Sequence, residues 1–195
     1  MSAKTTRNRI IEAADKLFYE QGFEKTSFAD IADTVKISRG NFYYHFKTKD
    51  DILSAVIQQR LSDRQNWLKQ WEDQVEDPAE RILCFVKILL RNRVNIMAFG
   101  CPLGTLSAEL AKLDHASQDE YREIFTLFRD WLKKQFFDLG HEADADRLAM
   151  HILSHSQGVA TMANTFKDEK FIEDEVAQIT LWLQTYSRDP LTLSD

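Results

Sequence analysis

The chain has 195 residues, 44% of them apolar and 29% charged, with 25 Lys/Arg against 31 Asp/Glu and a formal net charge of −6. These proportions exclude a disordered or collagen-like chain, and no apolar run approaches the roughly 20 residues that cross a bilayer. Two cysteines, Cys84 and Cys101, are too few for a disulfide scaffold or a four-thiolate zinc site, and the polar, basic Met1–Arg9 lacks the apolar core of a secretory signal, so a cytoplasmic protein is expected.

Six glycines and three prolines leave little material for tight turns, which favours long helices. Ile10, Ile11, Ala14, Leu17 and Phe18 form one apolar stripe and predict a first helix over Thr6–Gln21, capped by Thr5 or Thr6 and closed by Gly22. Ser27-Phe28-Ala29-Asp30 has the form of a capping box and opens a short second helix through Ile31, Ala32 and Val35. Ser38 can cap a third, Arg39 to Phe46, burying Phe42 and Phe46. Thr48-Lys49-Asp50-Asp51 opens a long fourth helix that runs through Ile52, Leu53, Val56 and Ile57 to Trp71.

Asp77 and Pro78 mark another start, because proline at the first turn forfeits no helical hydrogen bond. The helix behind them is apolar nearly all round until Phe99-Gly100-Cys101-Pro102 interrupts it. A short helix through Leu106 and Leu110 follows, then one opened by a capping box at Ser117–Glu120 and closed by Gly140. Two more, about Asp144–Phe166 and Phe171–Tyr186, precede a polar tail from Ser187. The expected fold is all-α with about nine helices, three short ones leading into a long fourth. Residues 1–48 are read as one domain and 49–195 as a second, larger one.

Charge separates along the same line. Residues 1–49 carry nine Lys/Arg against six Asp/Glu, net +3, and the remainder carries sixteen against twenty-five, net −9. A basic head on an acidic body suits a polyanion at the head only. Thr26 to Phe46 has the proportions of a helix-turn-helix, in which a second short helix enters the major groove. Arg39 can bond guanine O6 and N7, Asn41 can bond adenine N6 and N7, and Gly40 admits close approach to the bases. Tyr43, Tyr44 and His45 have polar ends that reach toward phosphates, and Lys49 sits beside the positive end of the fourth helix.

At these residues the chain resembles the TetR family of transcription regulators. The likeness rests on Thr26-Ser27-Phe28-x-x-Ile31-Ala32, on Ile37 to Phe46 (Ile-Ser-Arg-Gly-Asn-Phe-Tyr-Tyr-His-Phe), and on Lys49-x-x-Ile52-Leu53. Ala14-x-x-Leu17-Phe18-x-x-x-Gly22-Phe23 extends it toward the N-terminus. The resemblance implies Arg39, Gly40 and Asn41 against bases, with Ser38 at the start of the recognition helix. It implies Ser27, Tyr43 and Lys49 against phosphates; of the two tyrosines, both candidates for DNA binding, Tyr43 is the one expected to face the DNA. Phe28 stands where some members carry a basic base-reading residue, so that contact is expected to be absent. The family further implies a homodimer sealed by the last two helices, reading a palindromic operator, with no membrane partner and no cofactor. Its usual role is a repressor released by a small molecule; an activator is the alternative.

The effector would lie in the larger domain, where Trp67, Phe85, Phe99, Phe125, Phe128 and Trp131 supply aromatic walls. Cys101 joins them, because Gly100-Cys101-Pro102-Leu103-Gly104-Thr105-Leu106 is similar to a segment of the NemR-like, electrophile-sensing branch, which leaves a thiol-sensing repressor open. Cys84 is expected in the core. His151 and His155 share a helix face but make two ligands at most, so a polar stripe is expected there rather than a metal. There is no Gly-rich phosphate loop, HExxH or GxSxG, so no enzymatic role is expected.

Overall fold

The computed structural model describes residues 5–187; the tail beyond Ser187 lies outside them. Among the described residues the secondary structure is helical, in eleven segments. They are α1 (Thr6–Gln21), α2 (Phe28–Val35), α3 (Arg39–His45), α4 (Lys49–Gln74), α5 (Pro78–Val86), α6 (Ile88–Arg91), α7 (Arg93–Phe99), α8 (Gly104–Lys112), α9 (Gln118–Asp138), α10 (Ala145–Phe166) and α11 (Glu169–Gln184). The expected fifth helix is the path α5–α6–α7, interrupted at Lys87 and Asn92; counted as one, it brings the helices to nine. All three pieces pack against α11.

The chain forms two compact units, Met1–Asp63 with Pro102–Glu123, and Arg64–Cys101 with Ile124–Asp195. Both α4 and α9 contribute to each. In the first unit the stripe of α1 (Ile10, Ile11, Ala14, Leu17, Phe18) is buried with Ile31 and Val35 of α2, Phe42 of α3, and Ile52, Leu53, Val56 and Ile57 of α4. Removing a buried side chain of this size from water contributes about 1.5–3 kcal/mol. The helix ends are fixed by side chains the sequence announces. Thr5 accepts from the Asn8 amide, and Arg9 Nη2 donates to Val35 O at 2.6 Å, closing the end of α2. Gly22 takes φ +92°, a backbone conformation that favours glycine, and a Cβ there would crowd a Glu109 carboxylate oxygen at 3.0 Å.

Glu109 of α8 uses that space. Its two oxygens accept from the Phe23 and Glu24 amides at 2.8 and 2.9 Å, holding the α1–α2 loop. A second polar tie centres on a buried guanidinium. The Arg60 side chain on α4 is 4% exposed and donates to Asp15 Oδ1 at 2.6 Å, and to Pro102 O and Tyr121 Oη at 2.7 Å. Tyr121 in turn donates to Leu103 O at 3.1 Å. One guanidinium therefore joins α1, α4, the Pro102–Leu103 turn and α9. The Ser117–Glu120 signal is used differently from the sequence expectation: Glu120 Oε1 accepts from Ser54 Oγ and Gln58 Nε2 on α4 at 2.9 and 2.8 Å.

In the second unit, α10 packs against α7 and α11, and α11 packs against α5, α6 and α7. Leu148, Ile152 and Ala163 of α10 and Ile172, Val176 and Leu183 of α11 form its centre. Asp77 caps α5 by accepting from the Ala79 and Glu80 amides, with Pro78 in the first turn. Arg93–Lys112 is the most apolar stretch of membrane-spanning length among the described residues. It is not one helix: Gly100, at φ +84°, ends α7 and α8 begins at Gly104.

Candidate nucleic-acid interface

The helix-turn-helix is built from short-range rules. Ser27 accepts from the Asp30 amide while Asp30 accepts from the Ser27 amide, completing a reciprocal box at the start of α2. Ser27 Oγ also donates to Asp30 Oδ2, and this pair holds the Asp30 carboxyl below the usual carboxylate range. Lys36 leaves α2 in the left-handed region (φ 58°), with its amide on Asp33 O and the Ile37 amide on Ala32 O. Ser38 then caps α3 by accepting from the Asn41 amide at 3.3 Å. Three residues, Lys36 to Ser38, thus turn the chain between the two helices.

One face of α3 closes the core and the other is open. Phe42 is 1% exposed and Phe46, just past the helix, 3% exposed. Arg39, Gly40 and Asn41 are all exposed on the first turn. At Gly40 a Cβ would meet nothing within 4 Å, so nothing inside the protein requires glycine there. Glycine in a helix costs roughly 0.8–1.0 kcal/mol relative to alanine. A helix of seven residues bears that cost without any internal return.

The two tyrosines differ. Tyr43 is 46% exposed and sets its ring edge-on to Phe28, centroids 5.5 Å apart. It lines a shallow hollow with Ser27, Phe28 and Arg39. Tyr44 is 78% exposed, against His45 at 5.1 Å. Phe28 is half-buried against Phe42 at 5.1 Å. Lys49, expected against a phosphate, is also engaged within the fold. Its Nζ donates to Phe23 O at 2.9 Å and Glu24 O at 3.2 Å and stands 4.2 Å from the Phe23 ring centroid. Its position at the start of α4 carries it back over the α1–α2 loop, leaving one of three N–H donors for an outside partner.

The expected effector residues differ in exposure and packing. Phe85 and Phe128 are core, their rings 5.1 Å apart, and Trp131 is 7% exposed, packed on Trp71 at 5.7 Å with Nε1 donating to Glu72. Phe99 is exposed, and Phe125 and Cys101 are half-buried. Of the seven, Trp67 alone borders the groove in the second unit, and it does so beside Cys84, which the sequence assigned to the core. His151 and His155 lie on α10 as expected of a polar stripe. His151 rests on Trp182 at 4.5 Å and His155 Nε2 is 3.2 Å from Glu175. Burial, then His155 and Arg147, push His151 below the ordinary histidine value.

A capped helix pair with an open, glycine-bearing second helix defines a helix-turn-helix protein. Residues 10–56 match the tetR family of bacterial regulatory proteins, and residues 64–178 match the C-terminal domain of LmrA/YxaF-like transcriptional regulators. A Lactococcus lactis HTH-type transcriptional regulator from the lacX 3′ region is 30% identical over 67% of this chain and 66% of its own length. This chain therefore aligns with slightly less than two thirds of that relative. A TetR transcriptional regulator from Legionella pneumophila superposes with a TM-score of 0.83 at 26% identity, over 93% of this chain and 99% of that one. Reduced NemR of Escherichia coli, at 17% identity, shares the fold with a TM-score of 0.78 over 96% of this chain and 100% of its own. The chain belongs to the TetR family of transcriptional regulators.

Proposed function

We propose that this protein is a cytoplasmic, operator-binding repressor that acts as a homodimer and is released by a small molecule. Residues 1–48 form the DNA-reading part and 49–195 the effector and dimer part. The observation that carries the reading is Gly40: an exposed helix position kept free of a side chain without any internal reason is suited to close approach by a DNA duplex. Arg39 and Asn41 flank it as base-reading groups. Ser27, Ser38, Tyr43 and Tyr44 serve the backbone, and Lys49 contributes its remaining donor.

Dimerisation through α10 and α11 is favoured by a second glycine of the same kind. Gly158, in mid-α10, also has nothing within 4 Å of where a Cβ would stand. Its exposed helix face carries Ser154, Thr161 and Met162, and exposed Phe166 and Leu181 lie on α10 and α11. Small residues beside apolar ones suit a close helix–helix approach by a second copy. Two recognition helices would then read half-sites centred about 34–36 Å apart.

Selection from random duplex DNA with the full chain tests the reading. It predicts enrichment of a two-fold symmetric sequence. Recovery no better than input, with no consensus, would overturn it.

A further inference from the structure

We propose that the groove between the last turns of α4 and the α5–α6 path is a binding site for a planar aromatic ligand carrying a single negative charge. The groove encloses about 440 Å³, within the range of small-molecule sites. One wall is a single face of α4: Trp67, Gln70, Trp71 and Gln74 recur at i, i+3, i+4 and i+7. The other carries Cys84, Ile88 and Arg91 at comparable spacing, followed by Asn92.

Each wall contributes a distinct part of the recognition. Trp71 is 7% exposed and backed by Trp131, so it is a fixed apolar floor. Trp67 is 38% exposed at the rim, with the Arg64 guanidinium 4.1 Å from its ring centroid. Two indoles offer flat surface to an aromatic ring. The carboxamides of Gln70, Gln74 and Asn92 can donate and accept around the ring edge. The charge selectivity comes from Arg91. It is the one ionised side chain among the lining residues, and no carboxylate accompanies it there. Guanidinium geometry favours a carboxylate or a comparable oxyanion.

Cys84 does not oppose this. Burial pushes its thiol above the ordinary value, against the pull of Arg91 and Lys87 and with a smaller contribution from Glu80. At neutral pH it is a neutral thiol, so Arg91 remains the one charged group lining the groove. A cationic aromatic would find its charge beside Arg91, with no acid among the lining residues to pair it.

The site deepens the reading of the chain as an effector-responsive regulator, and its existence can be tested separately from that role. Calorimetric titration of the full chain with 2-naphthoate, 2-naphthamide and 2-naphthamidine compares anion, neutral and cation on one ring system. The expected order is naphthoate, then naphthamide, then naphthamidine, with at least tenfold between the first two. Arg91→Gln should remove that preference while leaving naphthamide affinity unchanged, and its circular dichroism should match the wild type. Equal affinity for all three, tightest binding of the amidine, no binding of any, or an unaltered preference in Arg91→Gln would each overturn the site. A parallel anisotropy measurement on a selected duplex reads regulation. Binding in the groove without DNA release keeps the site and removes the effector role. Release by naphthoate that survives an Arg91→Gln change abolishing the calorimetric preference places the effector elsewhere, and likewise keeps the site while removing its effector role.

Discussion

Gly40→Ala separates what the fold wants from what DNA wants. Alanine is favoured over glycine by roughly 0.8–1.0 kcal/mol inside a helix, and the gain is smaller near an end. Gly40 is the second residue of α3, and a Cβ there meets no atom within 4 Å. The substitution should therefore stabilise the free protein by about 0.5 kcal/mol. For a chain of this size, 1 kcal/mol shifts Tm by roughly 2–4 °C, so the expected rise is about 1–2 °C. On DNA the sign reverses. A methyl group forced into a close interface costs about 1–3 kcal/mol, and a dimer meets that cost at two half-sites. Since 1.4 kcal/mol is tenfold, operator affinity should fall by at least about thirtyfold. Differential scanning calorimetry of the free protein and anisotropy on a selected duplex read the two effects. A lower Tm would show that the fold itself needs the glycine. Unchanged affinity would show that DNA does not approach α3 at this residue. Either result refutes the reasoning.

Other consequences follow from the same geometry. Arg60→Met leaves the Asp15 carboxylate and Pro102 O without a buried donor; because Asp15 is 42% exposed and can rehydrate, the cost should fall at the low end for a broken buried pair, about 3 kcal/mol by urea unfolding. A loss under about 1 kcal/mol would remove Arg60 from the interior network. Gly158→Trp should give a chain with native circular dichroism that sediments near 22.7 kDa, whereas the wild type should sediment near twice that mass; a dimeric variant would move the interface away from α10. His151 is held below its ordinary 6.5, chiefly by burial. The unfolded chain therefore binds that proton more readily, and the native state has its full stability above about pH 6.5 and loses stability as pH falls below it. His151→Gln should flatten the decline in urea midpoint between pH 7 and 5, and an unchanged slope would assign the decline to other groups.

Much of this structure was legible because it is set by residues close in sequence. Thr5, Ser38 and Asp77 cap the helices they announce, Ser27 and Asp30 close their box, and Gly22 and Gly140 exit at positive φ. Long-range partners were not legible. The breaks at Lys87 and Asn92 carry no glycine or proline, and all three resulting pieces meet α11, a partner about ninety residues away. Glu120 reads locally as a box residue, yet Ser54 and Gln58 claim it. The aromatic list was a list of large apolar side chains, and packing buries most such residues. It could not distinguish Trp131, sealed behind Trp71, from Trp67 at a rim. The signal for the groove was present in a different form, as indoles alternating with carboxamides on one face of α4 and a lone arginine opposite. Nor did the sequence show that the Lys49 ammonium also donates to two carbonyls of the α1–α2 loop.

The central claim is that the first turn of α3 reads bases, and parallel selections with the wild type and Asn41→Ala test it most directly. The wild type should enrich a palindrome with half-site centres about one helical turn apart. Asn41→Ala should enrich the same palindrome with one symmetry-related pair of positions degenerate, each having lost about 1–3 kcal/mol of discrimination. Identical consensus sequences from both proteins would contradict the claim and take Asn41 off the base edges.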